Sequence, residues 1–216
     1  MVGRFSLDST PIIQRFCPLT QAPLRKGASV IDWSTVYRDA LPYTAFLDQY
    51  ANPNQRGRWD AMHARISLDD NQRALLAGFV RTQHVLVLNG AWCGDCINQV
   101  PIFDHFAAAS TNLHVRLIDR DARADIADAL SINGGHRVPV AVFLSEDFQV
   151  VAQYGERTLS TYRRKAIEQL GASCPTGLVA PDEDATRQVT QEWLNEFERV
   201  QLLLRLSPRL REKHGD

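Results

Sequence analysis

Residues 84–88 read HVLVL and, after three intervening residues, Trp92-Cys93-Gly94-Asp95-Cys96 reads WCGDC. A valine and leucine run without polar alternation fits a strand buried on both faces. Two thiols three positions apart, at the start of the helix that follows, can close a small disulfide ring. The free N–H groups and the positive dipole end at a helix start stabilise a thiolate and lower the pKa of the first cysteine. Cys93 is therefore the expected attacking group, and Cys96, one turn deeper, is placed to resolve a mixed disulfide. Two other readings compete. Half of a zinc site would need two more ligands, yet Cys17 and Cys174 are isolated, each is followed by proline, and no histidine pair has the usual spacing. Two buried, inert cysteines would explain neither the flanking strand and helix nor the preceding Trp92.

Outward from this motif the pattern alternates. Residues 98–110 read as helix, 113–118 (LHVRLI) as strand, 122–130 as helix and 138–144 as strand. Residues 148–154 (FQVVAQY) add a further strand, paired as a hairpin across 145–147. Strand, helix, strand, helix and hairpin imply a mixed sheet covered by helices, an α/β fold.

Helices are added at both ends. Residues 1–30, with Pro11, Pro18, Pro23 and Gly27, read as an irregular arm. Asp32 or Ser34 can cap a helix carrying Val36, Tyr37, Leu41 and Phe46, with Pro42 kinking or dividing it. Residues 52–57 read as a polar loop, and Trp59, Met62 and Ile66 fit one face of a short helix. Ser67 and Asp70 resemble a capping box ahead of Leu75, Leu76 and Phe79. Beyond a helix over 162–170, stopped by Gly171, a Pro/Gly loop at 174–181 leads to acids at 182–184 on the first turn of a long helix. Its stripe is Val189, Trp193, Phe197, Val200 and Leu204. The expected organisation is an arm and helical extension over 1–81, a central unit over 82–170, and a helical extension over 171–216 packed on it.

The central unit resembles the thioredoxin superfamily. WCGDC is similar to the family's WCGPC active site after a buried strand. Pro101 matches the proline that kinks the active-site helix, Arg137-Val138-Pro139 precedes a strand as the family's cis-proline does, and Gly155 matches the glycine after the final strand. The helical zones on either side resemble a bacterial thioredoxin-family group with helical additions at both ends. The resemblance implies a thioredoxin-like fold, redox-active Cys93 and Cys96, support from Trp92, Gly94, Asp95, Arg137, Val138 and Pro139, and no bound cofactor or metal. A cis bond at Pro139 would turn the Val138 backbone outward, where it can pair with an extended peptide.

Departures matter as well. The family's buried acid falls on Val87, so deprotonation of Cys96 must rely on water or another acid, with Asp95 nearest and Asp119 further off. Asp95 stands where the family has proline. Its charge suits the helix dipole but opposes a nearby thiolate, raising the Cys93 pKa relative to a neutral residue and making a stronger reductant. His136 and Arg137 would lie beside the thiols, as a proton relay and a thiolate partner, or as plain surface residues.

Composition narrows the function classes. The chain has 216 residues, 44% hydrophobic and 23% charged, enough to bury a core. A net charge of −1 gives no electrostatic reason to seek nucleic acid or an anionic membrane. The longest apolar runs fall far short of the ~20 residues of a membrane helix. After Arg4 the start of the chain is broken by Asp8, Gln14 and Arg15, without a signal-peptide core. Four cysteines do not make a disulfide scaffold. The expectation is a cytoplasmic protein-disulfide reductase whose partners are disulfide-containing proteins and a flavoprotein reductase or dithiol donor. Glutathione-linked or isomerase chemistry, and a redox sensor or binding module on the same fold, are the alternatives.

Overall fold

A computed structural model of the chain describes residues 31–170 and 184–215. The expected arm over 1–30, Cys17, Gly171, Cys174 with its loop, and the acids at 182 and 183 lie outside the described residues.

The N-terminal helices are set by caps and prolines. The Asp32 carboxylate accepts the N–H groups of Ser34 and Thr35 and opens α1 (Trp33–Asp39). Pro42 divides rather than kinks: it is the cap of a separate α2 (Tyr43–Tyr50). Residues 52–57, expected as a loop, instead open α3 (Pro53–His63). The Asn52 side chain accepts the Gln55 N–H and the Gln55 side chain accepts the Asn52 N–H, both at 2.9 Å, with Pro53 at the first helical position. Polar composition there conceals a capping box. The second box is Asp69 with Gln72, two residues later than expected, and opens α4 (Asp70–Ala77), which ends before Phe79.

Then follow β1 (Gln83–Asn89), α5 (Gly94–Ala108), β2 (Leu113–Asp119), α6 (Ala124–Ala129), β3 (Val140–Leu144), β4 (Val150–Gly155) and α7 (Leu159–Leu170). After the break come α8 (Ala185–Leu206), capped by Asp184, and α9 (Pro208–His214). The sheet order is β2-β1-β3-β4. β1 and β2 are parallel, joined through α5, whereas β3 is antiparallel to β1 and β4 to β3. This is the mixed, helix-covered sheet expected, a thioredoxin-like α/β fold with extra helices. The third strand starts at Val140, two residues later than the apolar run, because Pro139 has no N–H to give a ladder.

Burial follows from these elements. Val85, Leu86, Val87 and Leu88 of β1 and all of β3 are buried, as strands covered on both faces must be. The stripe of α8 is buried in full. Phe103 and Phe106 of α5 and Phe143 of β3 converge on Phe197, with ring centroids 5.1–5.3 Å away. Each such side chain contributes roughly 1.5–3 kcal/mol by burial. On the other side, Leu41 and Leu117 exchange backbone hydrogen bonds of 2.8 and 2.7 Å, so the turn between α1 and α2 covers the β2 edge. No helix among the described residues is long and apolar enough to cross a membrane.

Candidate functional site

The end of β1 and the start of α5 bring the two cysteines together. The loop from β1 passes Gly90, where an added Cβ would lie 2.9 Å from the Trp92 ring, so a larger residue there would push the ring from its place. Cys93 is the N-cap of α5, and its Sγ accepts the Cys96 N–H at 3.4 Å. The Cys93 thiol reaches the Val138 carbonyl at 3.6 Å. The Val138–Pro139 peptide is cis. Gly155 pairs with Val140 in the sheet, and a Cβ there would meet the Pro139 carbonyl oxygen at 2.5 Å. Glycine at 155 is thus what lets β4 lie against the Pro139 segment. Pro101 lies inside α5.

The two thiols differ in their electrostatics. The Cys93 pKa is lowered to about 7, first by the hydrogen bond from the Cys96 thiol and then by backbone N–H groups at the helix start, against burial. The Cys96 pKa is raised well above its usual value, chiefly because the side chain is fully buried, and its bond to Cys93 adds to this. Asp95 acts in the direction expected from its charge, raising Cys93, but it is the last of the causes. Its carboxylate is not freely solvated. Oδ2 accepts from Arg157 Nε at 2.9 Å and Nη2 at 2.6 Å, and Lys165 Nζ lies 3.9 Å from Oδ1.

The other residues singled out in the sequence have definite partners. Trp92 is 44% exposed; its indole N–H meets Asp121 at 3.2 Å and Arg120 stacks over its ring at 4.4 Å. Val87 is fully buried, so the position of the family's acid is apolar. Asp119 Oδ1 accepts the N–H groups of Asp121 and Ala122, which ties it to its own turn. His136 pairs with Asp128 at 2.7 Å, and Arg137 donates to Glu156 Oε1 at 3.0 Å. Gly94 opens α5 with open space around its Cα. Among the described residues no group of three or more His, Cys, Asp and Glu side chains could hold a metal ion.

Several contacts around the thiols escape a reading of the sequence. Glu156 is buried, and its Oε1 accepts from Arg137, Arg157 and Tyr162. Gln99, one turn past Cys96, donates to the carbonyls of Asp95 and Glu156 and accepts the Trp193 indole N–H. Trp59 donates its indole N–H to the Ala91 carbonyl just ahead of Trp92. Glu156 and Arg157 directly follow the matched Gly155, and that adjacency is the signal that could have found them.

A buried strand, a dithiol at a helix start and a cis-proline loop beside it are the arrangement of a thioredoxin-like fold. The sequence pattern of the thioredoxin family matches residues 40–163, and the chain belongs to that family. The match takes in α2, α3 and α4 as well as the sheet. No curated protein matches the chain. Among solved structures, a Pseudomonas aeruginosa protein of unknown function is similar at 15% identity and TM-score 0.61, covering 79% of this chain and 97% of that one. An HIV epitope scaffold is similar at 16% identity and TM-score 0.59, with the same coverage. These likenesses are of fold.

Proposed function

We propose that the protein is a thiol–disulfide oxidoreductase that reduces disulfides in protein substrates. The Cys93 thiolate attacks one sulfur of a substrate disulfide, a mixed disulfide forms, and the other substrate sulfur leaves as a thiolate. Cys96, deprotonated by solvent, then attacks the Cys93 sulfur and releases the second substrate thiolate. The enzyme is left with a Cys93–Cys96 disulfide, two electrons having passed to the substrate. A flavoprotein reductase or another dithiol restores the reduced form, and no bound cofactor is needed. An extended substrate segment lies along the backbone at Val138, with Trp92 shielding the sulfurs. The proposed setting is the cytoplasm, with residues 82–170 as the redox unit and the helices of 1–81 and 171–216 as its supports.

The observation that carries this reading is the asymmetry of the thiols. Cys93 caps a helix, where the hydrogen bond from Cys96 and the backbone N–H groups lower its pKa to about 7, whereas Cys96 is fully buried and its pKa is pushed up. The test is covalent trapping on a non-reducing gel together with reduction of insulin. Cys96→Ser accumulates mixed disulfides that a strong reductant reverses, and Cys93→Ala loses both capture and turnover. Capture by Cys93→Ala instead would exchange the two roles. No complex with either variant, and no insulin reduction, would favour a redox sensor.

A further inference from the structure

Asp95 lies between the two cysteines in sequence, on the first turn of α5, and its negative charge opposes ionisation of both sulfurs. A bare carboxylate in this position would make Cys93 a poorer nucleophile near neutral pH. The structure surrounds it with cations. Arg157 places two nitrogens on Oδ2, at 2.6 and 2.9 Å, and the side chains of both partners are 19% exposed. Lys165 of α7 is 3.9 Å away, and Arg65 and Arg164 line the same cleft as Asp95. Charges so placed are less screened than exposed pairs.

Arg157 is itself held. Its Nη1 donates to Glu156 Oε1 at 2.9 Å, and its guanidinium lies over the Tyr162 ring at 5.7 Å. Glu156 is fixed in turn by Arg137 and the Tyr162 hydroxyl through its carboxylate, and by Gln99 through its carbonyl. The loop after β4 therefore delivers a guanidinium in one orientation to the one acidic side chain of the WCGDC turn. A planar fork with two donors on a carboxylate fixes geometry as well as charge.

We propose that Arg157 is a positioning residue of the redox site, one that holds the Asp95 carboxylate in a fixed pairing and limits how strongly that charge opposes the Cys93 thiolate. This inference rests on the oxidoreductase reading for its purpose but not for its measurement. Arg157 acts through Asp95, so its loss exposes the carboxylate, destabilises the thiolate and disfavours the reduced protein.

The experiment reads the pH midpoint of Cys93 alkylation by iodoacetamide, and the fraction oxidised in a fixed glutathione buffer, in the full chain. Arg157→Gln moves the midpoint up by about half a pH unit or more. At the same glutathione ratio, and at a pH above both midpoints, half a unit corresponds to about threefold more disulfide over dithiol. Asp95→Asn moves the midpoint down, and adding Arg157→Gln to it produces little further change. An unmoved midpoint in Arg157→Gln overturns the proposal, and so does an equal shift with and without Asp95, since Arg157 would then act on the sulfur directly. If Arg157→Gln does not fold, Arg157→Lys carries the test. Lysine keeps the cation without the two-nitrogen grip, so the midpoint rises slightly when Asp95 is present and stays put in the Asp95→Asn background; no difference between those backgrounds overturns the proposal. Failure of wild-type protein to reduce insulin would defeat the oxidoreductase reading while leaving these midpoints to judge Arg157.

Discussion

Two tryptophans, one from each set of flanking helices, grip the dithiol turn in different ways. Trp59 of α3 and Trp193 of α8 are both fully buried, and each donates its indole N–H over 2.9 Å. Trp59 bonds the Ala91 backbone carbonyl ahead of the cysteines, whereas Trp193 bonds the side chain of Gln99 behind them. The first contact needs no particular residue at position 91. The second is relayed, because Gln99 passes it to the carbonyls of Asp95 and Glu156. A brace on backbone resists sequence change, while a brace through one amide side chain can be disconnected by one substitution. The C-terminal helix is therefore coupled to the thiols more specifically than the N-terminal helices are.

The largest expected effect tests whether both braces carry weight. Trp59→Ala and Trp193→Ala should each cost about 3–5 kcal/mol of stability, the usual range for emptying a buried tryptophan site, measured by urea unfolding. A loss below about 1 kcal/mol for either, well under that range, would remove it from the comparison. Gln99→Leu sharpens the contrast. It leaves the Trp193 N–H without its acceptor and the two carbonyls without its amide, for an expected cost of about 2–3 kcal/mol. The same variant should shift Cys93 alkylation, because the Glu156 loop carries Arg157; an unshifted profile would break the coupling between α8 and the thiols. The smallest effect is in wild-type protein. With the Cys93 pKa lowered to about 7, alkylation should be slow at about pH 6, rise through a midpoint about pH 7 and level off above about pH 8, because only the thiolate reacts. A midpoint near the ordinary thiol value, about 8.5, would mean that the helix start and the Cys96 hydrogen bond do not stabilise the thiolate.

Much of the fold is legible in the sequence because local pattern and global position agree. The apolar run at 85–88 has no room for a solvent face, and the stripe from Val189 to Leu204 has a helical period, so each reads in sequence as it folds. The differences fall where polar residues form structure. Residues 52–57 have the composition of a loop, yet Asn52 and Gln55 cap one another's N–H groups, a reciprocity that composition does not display. The box at Asp69 and Gln72 lies two residues beyond its expected place for the same reason: serine and aspartate are interchangeable caps until the backbone shows which one turns.

The sequence alone determined the dithiol, its place between strand and helix, and the proline and glycine that accompany it, because these depend on spacing along the chain. It also determined the sign of the Asp95 effect, which needs only a charge and its proximity in sequence. Tertiary structure decided how large that effect is allowed to be. Arg157 is 62 residues from Asp95 along the chain, and Trp193 is 94 residues from Gln99. Nothing in local propensity selects one arginine among many as the partner of one aspartate. That choice is made when β4 folds back along β3 and carries residues 156 and 157 to the start of α5, where partial burial lowers the screening and strengthens the pairing.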